Sequence, residues 1–265
     1  MRKLDLVSIK GKLVKGASTE PLLIEASDED GNIDIYVLKL FDDNGPNNIY
    51  RTAKEIVGNE LAKEFGLPVP EYGLINFDHS LLTEYYSLDR IKTIHNGFKF
   101  CSKLEEGMSI FNPNLKNYAL REYDMGSVFA FDNILLNTDR GGFRNKPNLL
   151  VNDNDFLLID HELILFFYNN MEKVEPIDFK HKFDVYYFKN HVFYKILKNK
   201  RKKSEVFDEF EEMLKVFNLS KFDDIFARLD KFNVIHNGKE DCSDYFLWLK
   251  NQRNYVINCL KDRIL

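Results

Sequence analysis

Asp139, Asn148 and Asp160 carry oxygen-bearing side chains within one short stretch near the middle of the chain. Two apolar runs, 149–151 and 156–159, flank an Asn-Asp-Asn-Asp cluster, and this pattern predicts a tight β-hairpin. Folding about the 153/154 turn places Asn148 opposite Asp160, beside the loop that bears Asp139. Carboxylate and amide oxygens are ligands that suit Mg²⁺. A magnesium site beside a loop carboxylate is the arrangement used for phosphoryl transfer.

The same stretch resembles the catalytic and metal-binding segments of HipA-like kinases. The matching residues read Asn-Thr-Asp-Arg at 137–140, Asn-Leu-Leu-Val at 148–151 and Leu-Ile-Asp-His at 158–161. They are also similar to the corresponding segments of type II phosphatidylinositol 4-kinases. The resemblance implies a protein-kinase-like fold and ATP-dependent phosphotransfer. Asp139 would position the acceptor hydroxyl and take its proton, while Asn148 and Asp160 would bind Mg²⁺.

Two asparagines compete for the role of metal ligand. The loop after Asp139 is longer than the usual kinase loop, and counting forward from the base favours Asn145. Counting back from the hairpin favours Asn148, which directly precedes the first strand. Because Mg²⁺ contacts its ligands at only about 2.0–2.1 Å, the ligand must be held rigidly. We therefore expect Asn148 to bind the metal, with Asn145 as the alternative.

A lysine is predicted to hold the nucleotide, and a glutamate is predicted to hold that lysine. Lys39 lies in an apolar strand, and a kinase needs such a lysine for the α- and β-phosphates. In the following helix, Glu60 falls within an apolar stripe, where a carboxylate needs a cationic or hydrogen-bonding partner. HipA-like kinases carry the lysine's partner in this helix, so we expect Glu60 to pair with Lys39. Glu64 is the alternative, and Glu55 is expected to point away.

The turn formed by Gly16, Ala17, Ser18 and Thr19 is the candidate phosphate-covering loop. The resemblance to HipA-like kinases implies that the first turn of the predicted three-stranded meander covers the ATP phosphates. It also implies that a serine in that loop can be autophosphorylated, with Ser18 and Thr19 as the candidates. Phosphate there would oppose ATP binding through its negative charge.

Three further residues near the loop are expected to act on structure. Asp132 lies on the apolar stripe of the helix before Asp139, so it is expected to accept hydrogen bonds that shape the loop. Arg140 is expected to form an ion pair rather than bind substrate phosphate. His161 is expected to be a packed structural residue.

The predicted fold is α+β and bilobal, of the protein-kinase-like type. Residues 1–103 would form a β-rich N-lobe with one helix, and residues 104–265 a mostly helical C-lobe. Strands are expected at 4–14, 33–41, 71–77 and 98–102, and a short helix or strand at 81–88. Helices are expected at 118–136, 205–217, 221–232 and 242–264.

Composition excludes several other classes. The 265 residues contain 44% hydrophobic and 14% aromatic residues, which argues against disorder. The net charge of −5 argues against a generic nucleic-acid binder. Three widely spaced cysteines fit neither a disulfide framework nor a zinc site. No run approaches the ~18 apolar residues of a membrane span, so we expect no such segment and a cytoplasmic location.

One local departure from this acidic character is the segment 195–203, which holds six basic residues in nine. A solvated helix end or linker is the favoured interpretation. A docking patch for an acidic partner or RNA is the alternative.

The function expected from these features is ATP- and Mg²⁺-dependent phosphotransfer to a protein serine or threonine. A lipid or small-molecule kinase is the first alternative, and a kinase-like module that only binds nucleotide is the second. Nucleotide turnover with and without acceptors separates the module from the enzymes. The sequence identifies no acceptor, and no partner or antitoxin protein.

Overall fold

The computed structural model describes residues 1–13, 20–43, 48–112, 123–141, 146–165 and 177–265. Its largest sheet is a closed barrel with the strand order β1-β2-β3-β5-β4. Neighbouring strands are antiparallel except β1 and β4, whose parallel pairing closes the barrel. The strands are β1 (Arg2–Lys12), β2 (Leu22–Ser27), β3 (Ile33–Leu38), β4 (Tyr72–Ile75) and β5 (Lys99–Lys103).

The core of the barrel is formed by every second side chain of its strands, as β2 shows. In β2 the buried residues are Leu22, Ile24 and Ala26, and the residues between them are half-buried. Such period-two burial is what a strand with one face on the core produces. Leu4 of β1 and Leu38 of β3 join the same core, each with at most 1% of its surface exposed.

A second, three-stranded sheet contains the predicted hairpin, in the order β6-β7-β8. Its strands are β6 (Ser109–Ile110), β7 (Leu149–Val151) and β8 (Phe156–Leu158). The hairpin turn forms as predicted, because the Asn152 side chain accepts hydrogen bonds from the backbone N–H groups of Asn154 (2.9 Å) and Asp155 (2.7 Å).

The predicted register of this hairpin is wrong by one residue. Leu149 pairs with Leu158, and the Ile159 N–H donates to the Asn148 carbonyl at 3.1 Å. Asn148 therefore lies opposite Ile159, not Asp160. The turn is centred on the bond between residues 153 and 154, as predicted. Counting outward from that bond pairs Asn148 with Ile159, which is one residue before the Asp160 that we expected.

The helices account for most of the remaining described residues. The predicted helix at 118–136 is described from Met125, where the Asp124 side chain caps it by accepting from the Ser127 N–H at 2.9 Å. The predicted helix at 242–264 is divided in two at Gln252. The α-helices are α1 (Arg51–Glu64), α2 (Leu88–Thr93), α3 (Met125–Ile134), α4 (Phe179–Asp184), α5 (Tyr194–Lys198), α6 (Asp208–Val216), α7 (Lys221–Lys231), α8 (Lys239–Asn251) and α9 (Arg253–Ile264), with a 3₁₀ helix at His79–Leu82.

The chain forms two compact units. The first contains Met1–Ile56, Pro70–Glu106 and Phe226–His236, and so holds the barrel. The second contains Val57–Val69, Gly107–Ile225 and Asn237–Leu265, and so holds the hairpin and most helices. The division into two contiguous lobes, 1–103 and 104–265, stays a prediction. None of the helices in the described ranges has the length and apolar composition needed to cross a bilayer.

Candidate active site

Lys39 lies in the first unit, directly after β3. Its backbone N–H donates to the Phe100 carbonyl of β5 at 3.0 Å, so the lysine is held at the end of a paired strand. Its side chain is 12% exposed and forms an ion pair with a carboxylate oxygen of Glu55, which is fully buried in α1. Such a pair fixes the ammonium group in one position, as contact with phosphate oxygens requires.

This ion pair corrects the expected partner of Lys39. Glu55, which we expected to point away, is the carboxylate that binds the lysine. Glu60, the predicted partner, forms an ion pair with Lys63 at 3.2 Å. The alternative, Glu64, binds Lys221 at 2.8 Å.

The reason for this error lies in the burial of α1. All residues from 52 to 59 are buried, including Glu55 and Asn59. A helix that is buried on all sides has no single apolar stripe that separates an inner from an outer face. The position of Glu60 on such a stripe therefore did not identify the lysine's partner.

Asp139 lies in the second unit, in the loop that follows α3, and is 7% exposed. Its backbone N–H donates to the Asn137 side chain at 3.1 Å. The Asn148 Nδ2 donates to the Asp139 carboxylate at 3.0 Å and to its carbonyl at 3.2 Å. Because the Asn148 nitrogen is engaged by Asp139, the Oδ1 atom of Asn148 is the one available to a cation.

Asn148 and Asp160 lie at the two ends of the hairpin and share an unusual backbone conformation. Their φ angles are +46° and +64°, in the left-handed region that Asn and Asp enter more readily than most residues. Each residue therefore leaves the extended direction of its strand at a position where the sequence predicts a metal ligand. The alternation of apolar and polar residues does not indicate this change of backbone direction at either position.

Arg140 connects the loop at 137–141, which carries Asp139 and is called the catalytic loop for its candidate role, to the hairpin. Its Nη1 donates to the carbonyl of Asn148 and, at 3.3 Å, to that of Ile159. Its Nη2 lies 3.4 Å from the Nε2 of His161. The guanidinium thus contacts the residues on both sides of Asp160, and the expectation that Arg140 acts through pairing rather than substrate binding agrees with this geometry.

The charge of Arg140 is balanced by Asp132, which is fully buried. Asp132 Oδ2 accepts from Arg140 Nε at 2.5 Å and lies 2.9 Å from His191 Nε2, while Oδ1 accepts from Asn137 Nδ2 at 2.7 Å. Burial alone would raise the pKa of Asp132, but the charge of Arg140 and the hydrogen bond from His191 lower it to about 2. Asp132 has the loop-shaping contacts that we expected.

His191 completes this network from a distant part of the chain. Its Nδ1 accepts a hydrogen bond from the Phe193 N–H at 3.1 Å, so Nε2 carries the proton that is donated to Asp132. Burial lowers the pKa of His191, although the Asp132 carboxylate opposes this shift. The geometry and the pKa direction both describe a neutral imidazole.

The segment 190–192 packs directly against the catalytic loop. The Val192 N–H donates to the Arg140 carbonyl at 3.1 Å. At Gly141, where φ is +96°, a Cβ atom would lie 2.5 Å from the Asn190 carbonyl oxygen. Glycine is therefore required at this position both by conformation and by the close approach of backbone.

His161 is packed, as expected, against a glycine of α1. It is fully buried, and a Cβ atom at Gly58 would lie 2.3 Å from the His161 Cβ. The ring also meets Phe131 edge-on, with 6.5 Å between ring centres. Gly58 thus allows the helix to approach the residue that follows Asp160.

The second unit offers hard oxygen ligands that fit Mg²⁺. They are the Oδ1 of Asn148 and the carboxylates of Asp160 and Glu162, and the two carboxylates offer oxygens within 4.8 Å of each other. Sequence reasoning missed Glu162, although it lies only two positions after Asp160. The alternative ligand Asn145 lies outside the described residues, as does the predicted phosphate-covering turn at 16–19.

Comparison with a solved structure supports the fold. The chain is similar to a structure described as a Helicobacter pylori proinflammatory kinase CtkA, with a TM-score of 0.50 and 14% sequence identity. The match covers 96% of this chain and 94% of that chain. At this identity the likeness shows the fold, a mixed α/β structure with a kinase-like neighbour. No curated protein matches the chain.

Comparison with family models identifies the wider group. The model described as HipA-like kinase matches residues 6–231, which is most of the chain. The matched range includes Lys39, Glu55, Asp139, Asn148 and Asp160. The chain belongs to the HipA-like kinase family.

Proposed function

We propose that this kinase transfers the γ-phosphoryl group of ATP to a serine or threonine hydroxyl of a protein, with Mg²⁺ as cofactor. The observation that carries the proposal is the hydrogen bond from Asn148 to the buried Asp139 carboxylate. It joins the candidate base to a candidate metal ligand and leaves the Asn148 oxygen for a cation. Arg140 connects the Asn148 carbonyl to the two neighbours of Asp160, through the carbonyl of Ile159 and the side chain of His161.

Each residue then has a defined task. Lys39, positioned by Glu55, binds phosphate oxygens of ATP. The Asp139 carboxylate orients the acceptor hydroxyl and accepts its proton as the new O–P bond forms and the bond to ADP breaks. Asn148 and Asp160 hold Mg²⁺, which when bound neutralises charge on the phosphates. Positioning and charge neutralisation supply most of the catalysis in such sites.

Transfer of labelled phosphate tests this proposal. The protein is incubated with γ-labelled ATP and Mg²⁺, with and without a mixture of acceptor proteins from a cell lysate. Asp139→Asn should reduce transfer by at least about 100-fold, since an electrostatic catalytic group contributes on the order of 3 kcal/mol. The matched control is Asp153→Asn, the same substitution in the exposed hairpin turn, and it should retain activity.

The possible outcomes separate the competing functions. Label transferred to proteins by the wild type, and lost in Asp139→Asn, supports the proposal. Transfer only to lipids or small molecules would reject the protein acceptor. ATP binding with no turnover in the presence of any acceptor would indicate a nucleotide-binding module. Near-normal transfer by Asp139→Asn would show that this residue is not the base.

A further inference from the structure

Residues 185–204 form a basic segment in an acidic chain. They contain seven lysines or arginines and no aspartate or glutamate. The chain as a whole has 37 basic and 42 acidic residues, so the remainder carries 30 against 42. The positive charge is therefore concentrated in one place rather than spread over the surface. The basic residues are Lys189, Lys195, Lys198, Lys200, Arg201, Lys202 and Lys203.

Six of these side chains are exposed and form what we call the basic surface: Lys189, Lys195, Lys198, Lys200, Arg201 and Lys202. Within the described ranges, none of the six has a carboxylate partner. Other exposed lysines of the same unit do, as in Lys180 with Asp184 at 2.6 Å and Lys215 with Glu212 at 3.0 Å. The charge of the basic surface is thus not balanced within the described chain.

The backbone of the basic segment is nevertheless fixed. Lys203 is anchored by a 2.8 Å hydrogen bond to the Ile264 carbonyl at the end of α9. At the other end, His191 and Val192 bond to Asp132 and to the Arg140 carbonyl. A solvated linker does not require such attachments, whereas a binding surface benefits from being held in place.

A cavity of about 200 Å³ connects the basic surface to the catalytic loop. Gly141 and Pro147 line it on the loop side, and Lys189, Asn190 and Lys195 line it on the other. Gly141 lies two residues after Asp139. An anionic group held by the two lysines would therefore lie beside the loop that carries the candidate base.

We propose that the basic surface and this cavity bind acidic side chains that flank the acceptor hydroxyl in the protein substrate. The proposal rests on the proposed phosphotransfer and specifies its acceptor as a serine or threonine in an acidic sequence. The cavity is smaller than the ~300–1,000 Å³ of pockets that enclose drug-sized ligands, but it accommodates a carboxylate side chain. Single-stranded RNA, the other polyanion to consider, is bound by stacking on aromatic side chains in addition to charge. The cavity lining supplies none beyond the buried His191, and Tyr187, the exposed aromatic residue of the basic segment, does not line the cavity.

Kinetics with paired peptides test the acceptor preference. Two short peptides share one serine and differ only in whether the flanking residues are Glu or Gln. In the wild type the KM for the Glu peptide should be about tenfold lower at low salt, and the difference should shrink as salt screens the charges. The variant Lys189→Glu/Lys195→Glu should abolish or invert the preference. The control Lys215→Glu/Lys231→Glu makes the same change in net charge outside the basic surface and should keep it.

Binding without ATP distinguishes failure of this proposal from failure of the proposed function. Fluorescence anisotropy of a labelled Glu peptide reports binding whether or not phosphate is transferred. Loss of binding in Lys189→Glu/Lys195→Glu, but not in the control, supports the proposal even if a given peptide is a poor acceptor. Equal binding of Glu and Gln peptides by the wild type overturns it, even if the protein is an active kinase. Tighter binding of oligouridylate than of the Glu peptide, lost in the same variant, would also overturn it.

Discussion

Replacement of Arg140 by methionine tests whether the buried network holds the catalytic loop. Arg140 is fully buried, and its guanidinium contacts Asp132, two backbone carbonyls and His161. Removing one partner of a buried ion pair costs about 3–5 kcal/mol, because the remaining charge is left without compensation. Arg140→Met should therefore lower the free energy of unfolding of the second unit by about 3–5 kcal/mol.

A second substitution identifies the cause of this loss. In Arg140→Met the Asp132 carboxylate remains buried with only His191 and Asn137 as partners. Adding Asp132→Asn removes the uncompensated charge but keeps a side chain of the same shape. The double variant Asp132→Asn/Arg140→Met should therefore be more stable than Arg140→Met alone, with a coupling energy of about 2 kcal/mol.

The pH dependence of the same variants gives an independent check. In the wild type the pKa of Asp132 is lowered from 3.8 to about 2, so its contribution to stability is present above pH 3.8 and is lost as the pH falls through 2. Without Arg140, burial raises the pKa of Asp132 instead, so the folded state regains stability as the pH falls through the raised value. The difference in free energy of unfolding between the wild type and Arg140→Met should therefore become smaller as the pH falls from neutral.

Urea denaturation followed by tryptophan fluorescence measures these differences. Trp248 is the only tryptophan of the chain and lies in α8 of the second unit, the unit that contains Arg140. A loss below about 1 kcal/mol in Arg140→Met, or a double variant less stable than Arg140→Met, would refute the reasoning. The first result would mean that the network is not stabilising, and the second that the buried charge is not the cause.

Three further outcomes are expected. Glu55→Gln should reduce kcat/KM for ATP by about 10–100-fold and Glu60→Gln by less than about threefold, since Glu55 forms an ion pair with Lys39, the candidate nucleotide-binding lysine, whereas Glu60 forms one with Lys63. Equal effects of the two substitutions in steady-state kinetics would contradict this. Asn148→Ala should sharply raise the Mg²⁺ concentration needed for half-maximal activity, and Asn145→Ala should raise it much less. A magnesium titration in which Asn145→Ala has the larger effect would identify Asn145 as the metal ligand instead. Burial lowers the pKa of His191 from 6.5, so the protein should lose stability as the pH falls below about 6.5, by at most about 1.4 kcal/mol per pH unit. In His191→Gln the midpoint of urea unfolding should depend less on pH, and an unchanged pH dependence would exclude His191 as the cause of this loss.

The candidate catalytic residues of the second unit could be found from sequence because their types and order are local signals. The Asn/Asp cluster predicted the hairpin turn, and the turn located Asn148 and Asp160 at its two ends. The turn lies where it was predicted, but the pairing counted outward from it was one residue too long, because a turn centred on the 153/154 bond places Asn148 opposite Ile159. That shift leaves the hairpin as a whole correct, but it changes which residue faces Asn148.

The partner of Lys39 and the role of His191 could not be predicted, for a different physical reason. The choice between Glu55 and Glu60 depends on which sides of α1 are covered, and that information lies in other parts of the chain. His191 lies 59 positions after Asp132 and follows a stretch with no clear hydrophobic period. No local pattern connects the two residues, because their contact is created by tertiary packing alone.

The shape of the catalytic loop is likewise imposed by packing. Four of the six non-glycine residues with positive φ in the described ranges lie between positions 136 and 165, and two of these are leucines, Leu136 and Leu165. A leucine in this conformation is opposed by its Cβ atom and costs on the order of 1–3 kcal/mol. Both leucines are fully buried, and the Leu165 N–H donates to the Leu135 carbonyl at 2.7 Å. Burial and hydrogen bonding thus hold a backbone that the local sequence disfavours, which is why sequence alone indicates the chemistry of this loop but not its geometry.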